Sequence, residues 1–390
     1  MKKRLLAILS LAALTAPSVV FAAAKQPFYY AVWLPFWKSQ SGATDIALNL
    51  DSLHEVSPFS YELNSKGAII DDLKINNGSW DGWFSAVRDA GKKIIPTIAW
   101  FDGPNIYALL SNTKKRQALE DSVAALVKAE GFDGIDIDFE SMLPATKPYY
   151  SLFVQGLAIR LHPRNKTLAC TVVPRTPVSS LYASDPLPPV TYAEDYAALN
   201  KYCDEVRIMA YDQGTIDVKL NASKGNGTLY APTADPAWVE KVIKNTIATI
   251  SPKKVMLGIP TYGYEYQVAW HMGAITYERV RSFTFFQMMD RADMLGITPT
   301  RNNAGELSFT FASSTHIQNV GTALTSIVES TLPQALAATN PFAPTTFFIS
   351  VSDSKSTADK IALAKKYGLR GAILFKADGE LDPATWDLMR

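Results

Sequence analysis

Short runs of apolar and β-branched residues recur eight times along the chain, and helix-like segments separate most of them. Such runs between turn signals are typical of buried strands, and strands that alternate with helices form parallel sheets. The eight runs span 28–34, 55–59, 94–101, 132–140, 167–173, 205–211, 255–259 and 371–375. We therefore predict an α/β protein whose eight strands close into a (β/α)₈ TIM barrel. An open, doubly wound sheet is the alternative, although no glycine-rich phosphate loop follows the first run.

The interval between the seventh and eighth predicted strands is much longer than one helix requires. It contains a helical pattern near 285–295 and a turn-like Asn-Asn-Ala-Gly segment that leads into a strand-like run at 307–311. Its content of Phe, Ile and Met argues against a long disordered loop. We therefore predict a small α+β insertion at 265–345, within a barrel formed by residues 25–264 and 346–390.

The first residues predict export. Basic residues at 2–4 precede an apolar run at 5–14, and the alanines at 22–24 offer a cleavage site. We therefore predict a signal peptide over 1–24 and a secreted or periplasmic protein. A retained membrane anchor is the alternative, but such a helix would be short and Pro17 interrupts it.

The composition is that of a globular protein, with 47% hydrophobic and 19% charged residues, which excludes a disordered chain. Lys and Arg total 38 against 37 for Asp and Glu. This balance provides no electrostatic reason to expect a nucleic acid or an acidic membrane as partner. We expect a monomer that contacts no nucleic acid and, after removal of the signal peptide, no membrane.

The chain has two cysteines, Cys170 and Cys203, on or near neighbouring predicted strands. An oxidising compartment permits a disulfide, whereas two buried free thiols are equally compatible with the sequence. Two cysteines and four scattered histidines do not show the spacing of metal ligands. We therefore predict no metal site and no cofactor.

The fourth predicted strand contains three acidic residues with the same parity, within the segment Asp-Gly-Ile-Asp-Ile-Asp-Phe-Glu at 133–140. Because alternate side chains of a strand face the same way, the intervening apolar residues should pack outward and the acids should face the barrel interior. Like charges this close cannot all ionise comfortably, so at least one pKa should rise. The last acid ends the strand at the C-terminal mouth, where barrel active sites lie. The three acids are Asp136, Asp138 and Glu140.

This stack of acids suits glycoside cleavage, in which a protonated carboxyl donates to the leaving oxygen and a carboxylate supports developing positive charge. In one alternative the acids pair with Lys or Arg, and Arg207 is the obvious inward candidate. In another they bind a divalent cation, but metal-dependent hydrolysis would lack nearby histidine ligands.

Several motifs, in the same order, resemble family 18 of the glycoside hydrolases, the chitinase-like barrels. Segment 133–140 is similar to the family signature DGxDxDxE, and Met-Ala-Tyr-Asp at 209–212 matches the MxYD of its sixth strand. Segment 257–263 is similar to its GIPxYG motif, and 360–375 resembles its last helix and strand. Segment 57–61 resembles bacterial members linked to cell-wall or spore glycans.

The resemblance implies roles for individual residues. Glu140 would be the general acid/base, and Asp138 would orient the substrate's own acetamido group as it attacks the anomeric carbon, supported by Asp136. Tyr211 would hydrogen-bond the acetamido oxygen, and Asp212 would contact the sugar. This is the substrate-assisted route to retention, in which the usual enzyme nucleophile is absent.

Further binding residues are expected at the predicted strand ends. Met209 shares a parity with Tyr211, so both should face the interior. Where the family usually places a Trp on the last strand, this chain has Phe375. A Phe ring can stack on a sugar, but its ring surface is smaller than that of Trp and it has no N–H group. Several aromatic residues are candidate sugar platforms, with packing as the alternative for each: Trp33, Trp37, Trp100, Tyr262 and Tyr264.

The resemblance implies a secreted retaining hydrolase of β-linked N-acetylglucosamine glycans. Chitin, chito-oligosaccharides and peptidoglycan all remain candidates, partly because segment 97–100 lacks the SxGG common among chitinases. A catalytically silent glycan-binding lectin on the same barrel is the alternative function. Lectin-like relatives typically lose the terminal acid, which is present here as Glu140.

Overall fold

Eight parallel strands form a closed ring in the computed structural model, which describes residues 27–181, 190–271, 274–313 and 345–390. The strands are Tyr29–Pro35, Glu55–Leu63, Thr97–Trp100, Gly134–Phe139, Thr167–Val172, Glu205–Met209, Val255–Pro260 and Gly371–Phe375. Each pairs in parallel with the next along the chain, and the first also pairs with the eighth, which closes the ring. The predicted (β/α)₈ TIM barrel is confirmed. The predicted signal peptide at 1–24 lies outside the described residues.

Helices follow the barrel strands and cover the outside of the ring. Several begin at a side-chain cap: Asn112 accepts a hydrogen bond from the N–H of Lys115, and Asp235 accepts one from Ala237. These caps satisfy amide groups that the first helical turn leaves free, so they fix the residue at which each of these helices begins. The α-helices outside the insertion are Ser39–Leu48, Asp81–Asp89, Gly103–Leu110, Thr113–Ala129, Lys147–Leu161, Val178–Leu181, Tyr196–Tyr202, Val218–Gly225, Pro236–Ile247 and Ser354–Lys366.

The side chains of the barrel strands alternate between two environments. Outward-facing residues pack against the helices in one large apolar layer, which includes Ile135, Ile137 and Phe139 of the fourth strand. Inward-facing residues form a second cluster inside the ring, which includes Trp33 and Tyr211. The outward direction expected for the apolar residues of the fourth strand is therefore confirmed.

Between the seventh barrel strand and the helix Ser354–Lys366, the described residues form an antiparallel sheet of five strands and the helix Phe285–Leu295. Six residues of this segment form a small apolar core of their own: Phe283, Met288, Ala292, Phe309, Ile349 and Val351. The strands, in sheet order, are Ala274–Thr284, Tyr262–His271, Thr345–Val351, Leu307–Ser313 and Thr300–Arg301. We refer to this sheet and helix as the insertion.

A buried glutamate attaches the insertion to a loop of the barrel. The carboxylate of Glu306 accepts hydrogen bonds from the backbone N–H groups of Thr233 at 2.9 Å and Ala234 at 2.8 Å. It also accepts one from the hydroxyl of Ser350 at 2.7 Å. Glu306 is fully buried, so these three donors replace the water that its charge loses on folding.

Cys170 of the fifth strand and Cys203, just before the sixth, form a disulfide. Their Cα atoms lie 6.2 Å apart, and both side chains are buried in the outer apolar layer. Of the two alternatives that the sequence leaves open, the structure therefore has the disulfide. None of the helices that the structure describes is long and apolar enough to cross a membrane.

Candidate active site

The fourth strand directs its three acidic residues along the barrel axis toward the mouth. Asp136 is fully buried, Asp138 is 4% exposed, and Glu140 lies just beyond the strand and is partly exposed. Exposure therefore increases toward the C-terminal end of the strand, and Glu140 is the acid most open to a ligand. We call these three residues the acid stack.

Asp136, at the base of the stack, is surrounded by hydrogen-bond donors. The hydroxyls of Thr97 and Thr171 donate to its carboxylate at 2.8 Å, and the indole N–H of Trp33 donates at 3.3 Å. A guanidinium nitrogen of Arg207 lies 3.2 Å from the same carboxylate. The alternative in which the acids pair with a cation therefore holds for Asp136.

Asp138 and Glu140 form no ion pair with any described residue, and their surroundings favour the protonated form. Burial, followed by the charges of Glu140 and Asp136, raises the pKa of Asp138 well above its ordinary value. Its Oδ1 atom is buried and has no hydrogen-bond partner among the described residues. Burial, with the charges of Asp212 and Glu194, also raises the pKa of Glu140. The rise expected for at least one acid is confirmed in direction.

Aromatic rings lie beside the acid stack at the mouth. The ring of Phe375 stacks on Tyr211, with centroids 5.3 Å apart and planes inclined by 13°. It also makes edge contacts with Trp33 at 5.9 Å and Tyr262 at 5.8 Å. Met209 is half-buried against the same interior cluster. The structure thus brings Met209, Tyr211, Tyr262 and Phe375 together.

Asp212 is held by two tyrosines of the insertion. The hydroxyls of Tyr262 and Tyr264 both donate to its Oδ1 atom, at 2.5 Å and 2.7 Å. The backbone of Asp212 is left-handed, with φ of 61°, a conformation that non-glycine residues adopt rarely. The guanidinium carbon of Arg279 lies 3.8 Å from the centre of the Tyr264 ring. The insertion therefore contributes directly to the mouth of the barrel.

The expectation that Trp100 is a sugar platform needs correction. Thr97 faces inward, because it hydrogen-bonds Asp136, so Trp100, three residues later, faces outward. Its indole is 3% exposed and makes an edge contact with Phe139 in the outer layer, with centroids 5.7 Å apart. Trp37, in contrast, is 50% exposed beside Phe59.

Three residues around the acids have contacts that sequence reasoning did not anticipate. Thr97 and Thr171 are inward-facing residues of strands adjacent to the fourth, so strand parity could have identified them. Glu194 affects Glu140 electrostatically and forms an ion pair with Arg175 at 2.6 Å, but it lies in a loop without periodicity. No group of three or more His, Cys, Asp or Glu side chains suited to a metal ion occurs within the described ranges.

Comparison with known proteins gives three kinds of match. A model of the family "Glycosyl hydrolases family 18" matches residues 70–380. The chain is 30% identical, over 43% of its length and 44% of the relative's, to the Bacillus subtilis protein "Uncharacterized glycosylase YvbX". It therefore spans less than half the length of that curated relative.

Two crystal structures share the fold. The Bacillus cereus spore cortex-lytic enzyme SleL matches with a TM-score of 0.68 and 17% identity, over 93% of this chain and 73% of that one. A chitinase from Chromobacterium violaceum matches with a TM-score of 0.67 and 19% identity, over 93% and 98%. Because the family model matches well over half of the sequence, the chain belongs to family 18 of the glycosyl hydrolases.

Proposed function

We propose that the protein is an exported, retaining glycosidase that cleaves β-linked N-acetylglucosamine glycans with the help of the substrate's own acetamido group. The observation that carries this proposal is the pair of Asp138 and Glu140. Both have a raised pKa, and Glu140 is partly exposed at the mouth beside the aromatic rings. A carboxyl group with a raised pKa holds its proton to higher pH and can serve as a general acid.

In the first step, Glu140 transfers its proton to the glycosidic oxygen as the bond from that oxygen to the anomeric carbon breaks. The acetamido oxygen of the same sugar forms a new bond to the anomeric carbon from the opposite face. Asp138 accepts a hydrogen bond from the acetamido N–H and stabilises the positive charge of the resulting ring. The unpartnered Oδ1 of Asp138 supports this role, because a buried acceptor without a donor is costly unless a ligand supplies one.

In the second step, Glu140 is anionic and acts as the base. It removes a proton from a water molecule, whose oxygen bonds to the anomeric carbon while the acetamido oxygen leaves. Two displacements at one carbon restore the original β configuration, and Glu140 regains its proton. Tyr211 would hold the acetamido oxygen in line, and Phe375, stacked on Tyr211, would limit the movement of the sugar.

The substrate proposal is limited to what the candidate glycans share. The names of the matched structures include a spore cortex-lytic enzyme and a chitinase, and both chitin and peptidoglycan contain β-linked N-acetylglucosamine.

Export is supported by the buried disulfide of Cys170 and Cys203, since disulfides persist in oxidising compartments. Amino-terminal sequencing of the mature protein tests export, and cleavage before Lys25 is expected.

The central experiment incubates the protein with chitotetraose and, separately, with purified peptidoglycan, and identifies the released ends by mass spectrometry. Proton NMR during the reaction should show the β anomer of the new reducing end first. A matched chito-oligosaccharide without N-acetyl groups should resist cleavage. Binding of both glycans without release of any product would overturn the proposal in favour of a lectin.

Substitution of Glu140 tests its role. Glu140→Gln should keep the fold and lower kcat by about 10²–10⁴-fold or more, because the acid and base are both lost. Glu278→Gln, an exposed glutamate on the insertion, is the control for loss of one carboxylate and should retain wild-type turnover. Equal product release by Glu140→Gln and the wild type would remove Glu140 from this role.

A further inference from the structure

A buried arginine lies beneath the acid stack and contacts three carboxylates. Arg207, on the sixth strand, is fully buried, as are Glu55, Asp136 and Glu205. Its guanidinium nitrogens lie 3.2 Å from Asp136 and 3.2 Å from Glu205, and they also pair with Glu55. One guanidinium N–H donates to the hydroxyl of Ser57 at 2.6 Å. A cation in this position has no contact with solvent, so its charge acts on the carboxylates around it.

The three carboxylates do not share this cation equally. Burial, the largest cause, raises the pKa of Glu55 to about 8. Glu205 has a second cation, since a guanidinium nitrogen of Arg370 lies 2.9 Å from its Oε1 atom. Asp136 has no other cationic partner among the described residues. Asp136 therefore depends on Arg207 more than Glu205 does.

Hydrogen-bond donors hold the carboxyl group of Asp136. Both the Arg207 guanidinium and the Trp33 indole N–H point to Oδ2, and neither group can accept a hydrogen bond. The hydroxyl of Thr97 also donates to Oδ2 at 2.8 Å, and that of Thr171 donates to Oδ1 at 2.8 Å. These contacts come from four strands and fix the orientation of Asp136 next to Arg207.

We propose that Arg207 is a positioning residue that holds Asp136 through their ion pair and places a buried positive charge beneath the acid stack, where this charge acts on Asp138 and Glu140. The inference rests on the proposed function, because it concerns the acid and base of that reaction. Without Arg207, no buried guanidinium would offset the negative charge of the acid stack from below, so Asp138 and Glu140 would hold a proton to higher pH. Arg207 thereby sets the pH range over which Glu140 holds a proton to donate.

Other ionisable side chains lie near the acid stack and near Arg207 beneath it, and the variants used in the test must keep these side chains. At the mouth, Glu194, Tyr211 and Asp212 act on Glu140 or Asp138, and Tyr150 faces both aspartates from the outer layer. Around Arg207, the groups in addition to its carboxylate partners are Tyr29, Lys93 and Arg370. None of them is altered in the variants below.

The test measures the pH dependence of kcat/KM on chitotetraose for the full chain and three variants. Arg207→Met removes the buried positive charge, so both limbs of the bell-shaped profile should move to higher pH by about one pH unit. Glu205→Gln removes one of the carboxylates paired with Arg207, so both limbs should move to lower pH. Arg207→Lys keeps the charge without the forked geometry, and its limbs should return to within about 0.3 pH unit of the wild type, with a lower kcat.

A matched control separates positioning from stability. Arg116→Lys alters another buried arginine, which pairs with Glu120 on an outer helix at 3.7 Å. It should lower the Tm without moving either limb. If the Arg207 and Glu205 variants lose activity or stability but keep the wild-type limbs, as this control does, Arg207 is a structural residue and the inference is wrong. Shifts in the opposite directions would also overturn it.

A second measurement does not depend on catalysis. In protein labelled with ¹³C at the aspartate and glutamate carboxyls, NMR titration follows Asp138 and Glu140, which are assigned with Asp138→Asn and Glu140→Gln. Their titration midpoints should rise in Arg207→Met and fall in Glu205→Gln. If the wild type cleaves no N-acetylglucosamine glycan, the proposed function fails, whereas unmoved midpoints refute the role of Arg207 alone.

Discussion

The disulfide between Cys170 and Cys203 should contribute measurably to stability. The two residues are 33 positions apart, and a cross-link over this span removes loop-closure entropy from the unfolded chain. The chain-entropy relation gives about 4 kcal/mol at 25 °C for a loop of this length. Unfolding of roughly 360 residues carries an entropy of about 0.8 kcal/mol per kelvin near the midpoint, so loss of the cross-link should lower the Tm by about 5 °C.

The assay follows thermal unfolding by circular dichroism, with and without a reductant, and counts free thiols before each scan. Reduction breaks the cross-link but keeps both sulfur atoms, which matters because removal of a fully buried side-chain atom would also leave a cavity. Cys170→Ala, Cys203→Ala and the double variant provide an independent measurement. Each single variant breaks the same bond, so the double variant should lose much less than the summed losses of the two single variants.

Two results would refute this reasoning. A fully reduced wild type that melts within about 1 °C of the oxidised protein would show that the cross-link adds nothing to stability. A double variant whose loss equals the sum of the two single losses would show that the effect comes from the buried sulfur atoms rather than from the bond.

Three further predictions concern single side chains. Trp33→Phe removes the indole N–H that donates a hydrogen bond to Asp136 but keeps an aromatic ring, so kcat/KM on chitotetraose should fall about tenfold. Unchanged kinetics would show that this hydrogen bond does not contribute to the reaction. Glu306→Gln weakens two charge-assisted hydrogen bonds to backbone N–H groups, so its free energy of unfolding, measured by chemical denaturation, should be about 2 kcal/mol lower than that of the wild type. An unchanged denaturation midpoint would contradict the contribution of these bonds. Hydrogen bonds from Lys366 and Tyr367 lower the pKa of Glu240 from 4.5 to about 2. Since the folded value is the lower one, the stabilisation is present above pH 4.5 and is lost as the pH falls through about 2. Solvent screening limits it to about 1 kcal/mol, so the Tm of Glu240→Gln should lie below that of the wild type at pH 7 and match it below pH 2. A Tm difference that persists in acid would contradict the assignment.

Strand periodicity was sufficient to identify the acid stack. A change of parity on the fourth strand would direct three carboxylates into the apolar outer layer, so its sequence permits one orientation. The third strand, Thr97–Trp100, is too short and too mixed for the same argument. Its orientation depends on the hydrogen bond of Thr97 to Asp136, a contact between two strands. This is why the prediction for Trp100 was wrong.

Contacts between distant segments were beyond the reach of sequence patterns. Tyr262 and Tyr264 share a parity, which predicts a common face, but their meeting at Asp212 also requires the left-handed backbone of that residue. Arg207 could be recognised as inward-facing. Glu205, two residues earlier on the same strand, shares its parity, but Glu55 and Asp136 come from the second and fourth strands, and only closure of the barrel brings them to Arg207.

The contact of Glu306 with Thr233 and Ala234 has a consequence for recombination among homologous enzymes. Both residues are buried, and the carboxylate of Glu306 accepts a hydrogen bond from each of their backbone N–H groups, so removal of the glutamate with its sheet removes this acceptor. A chimera that exchanges the insertion alone would therefore inherit a loop without its acceptor, and the tyrosines that hold Asp212 would be exchanged as well. Grafts that transfer residues 262–351 together with 212–235 should fold and turn over substrate better than grafts of either piece. These two stretches, distant in the sequence, form one exchangeable unit.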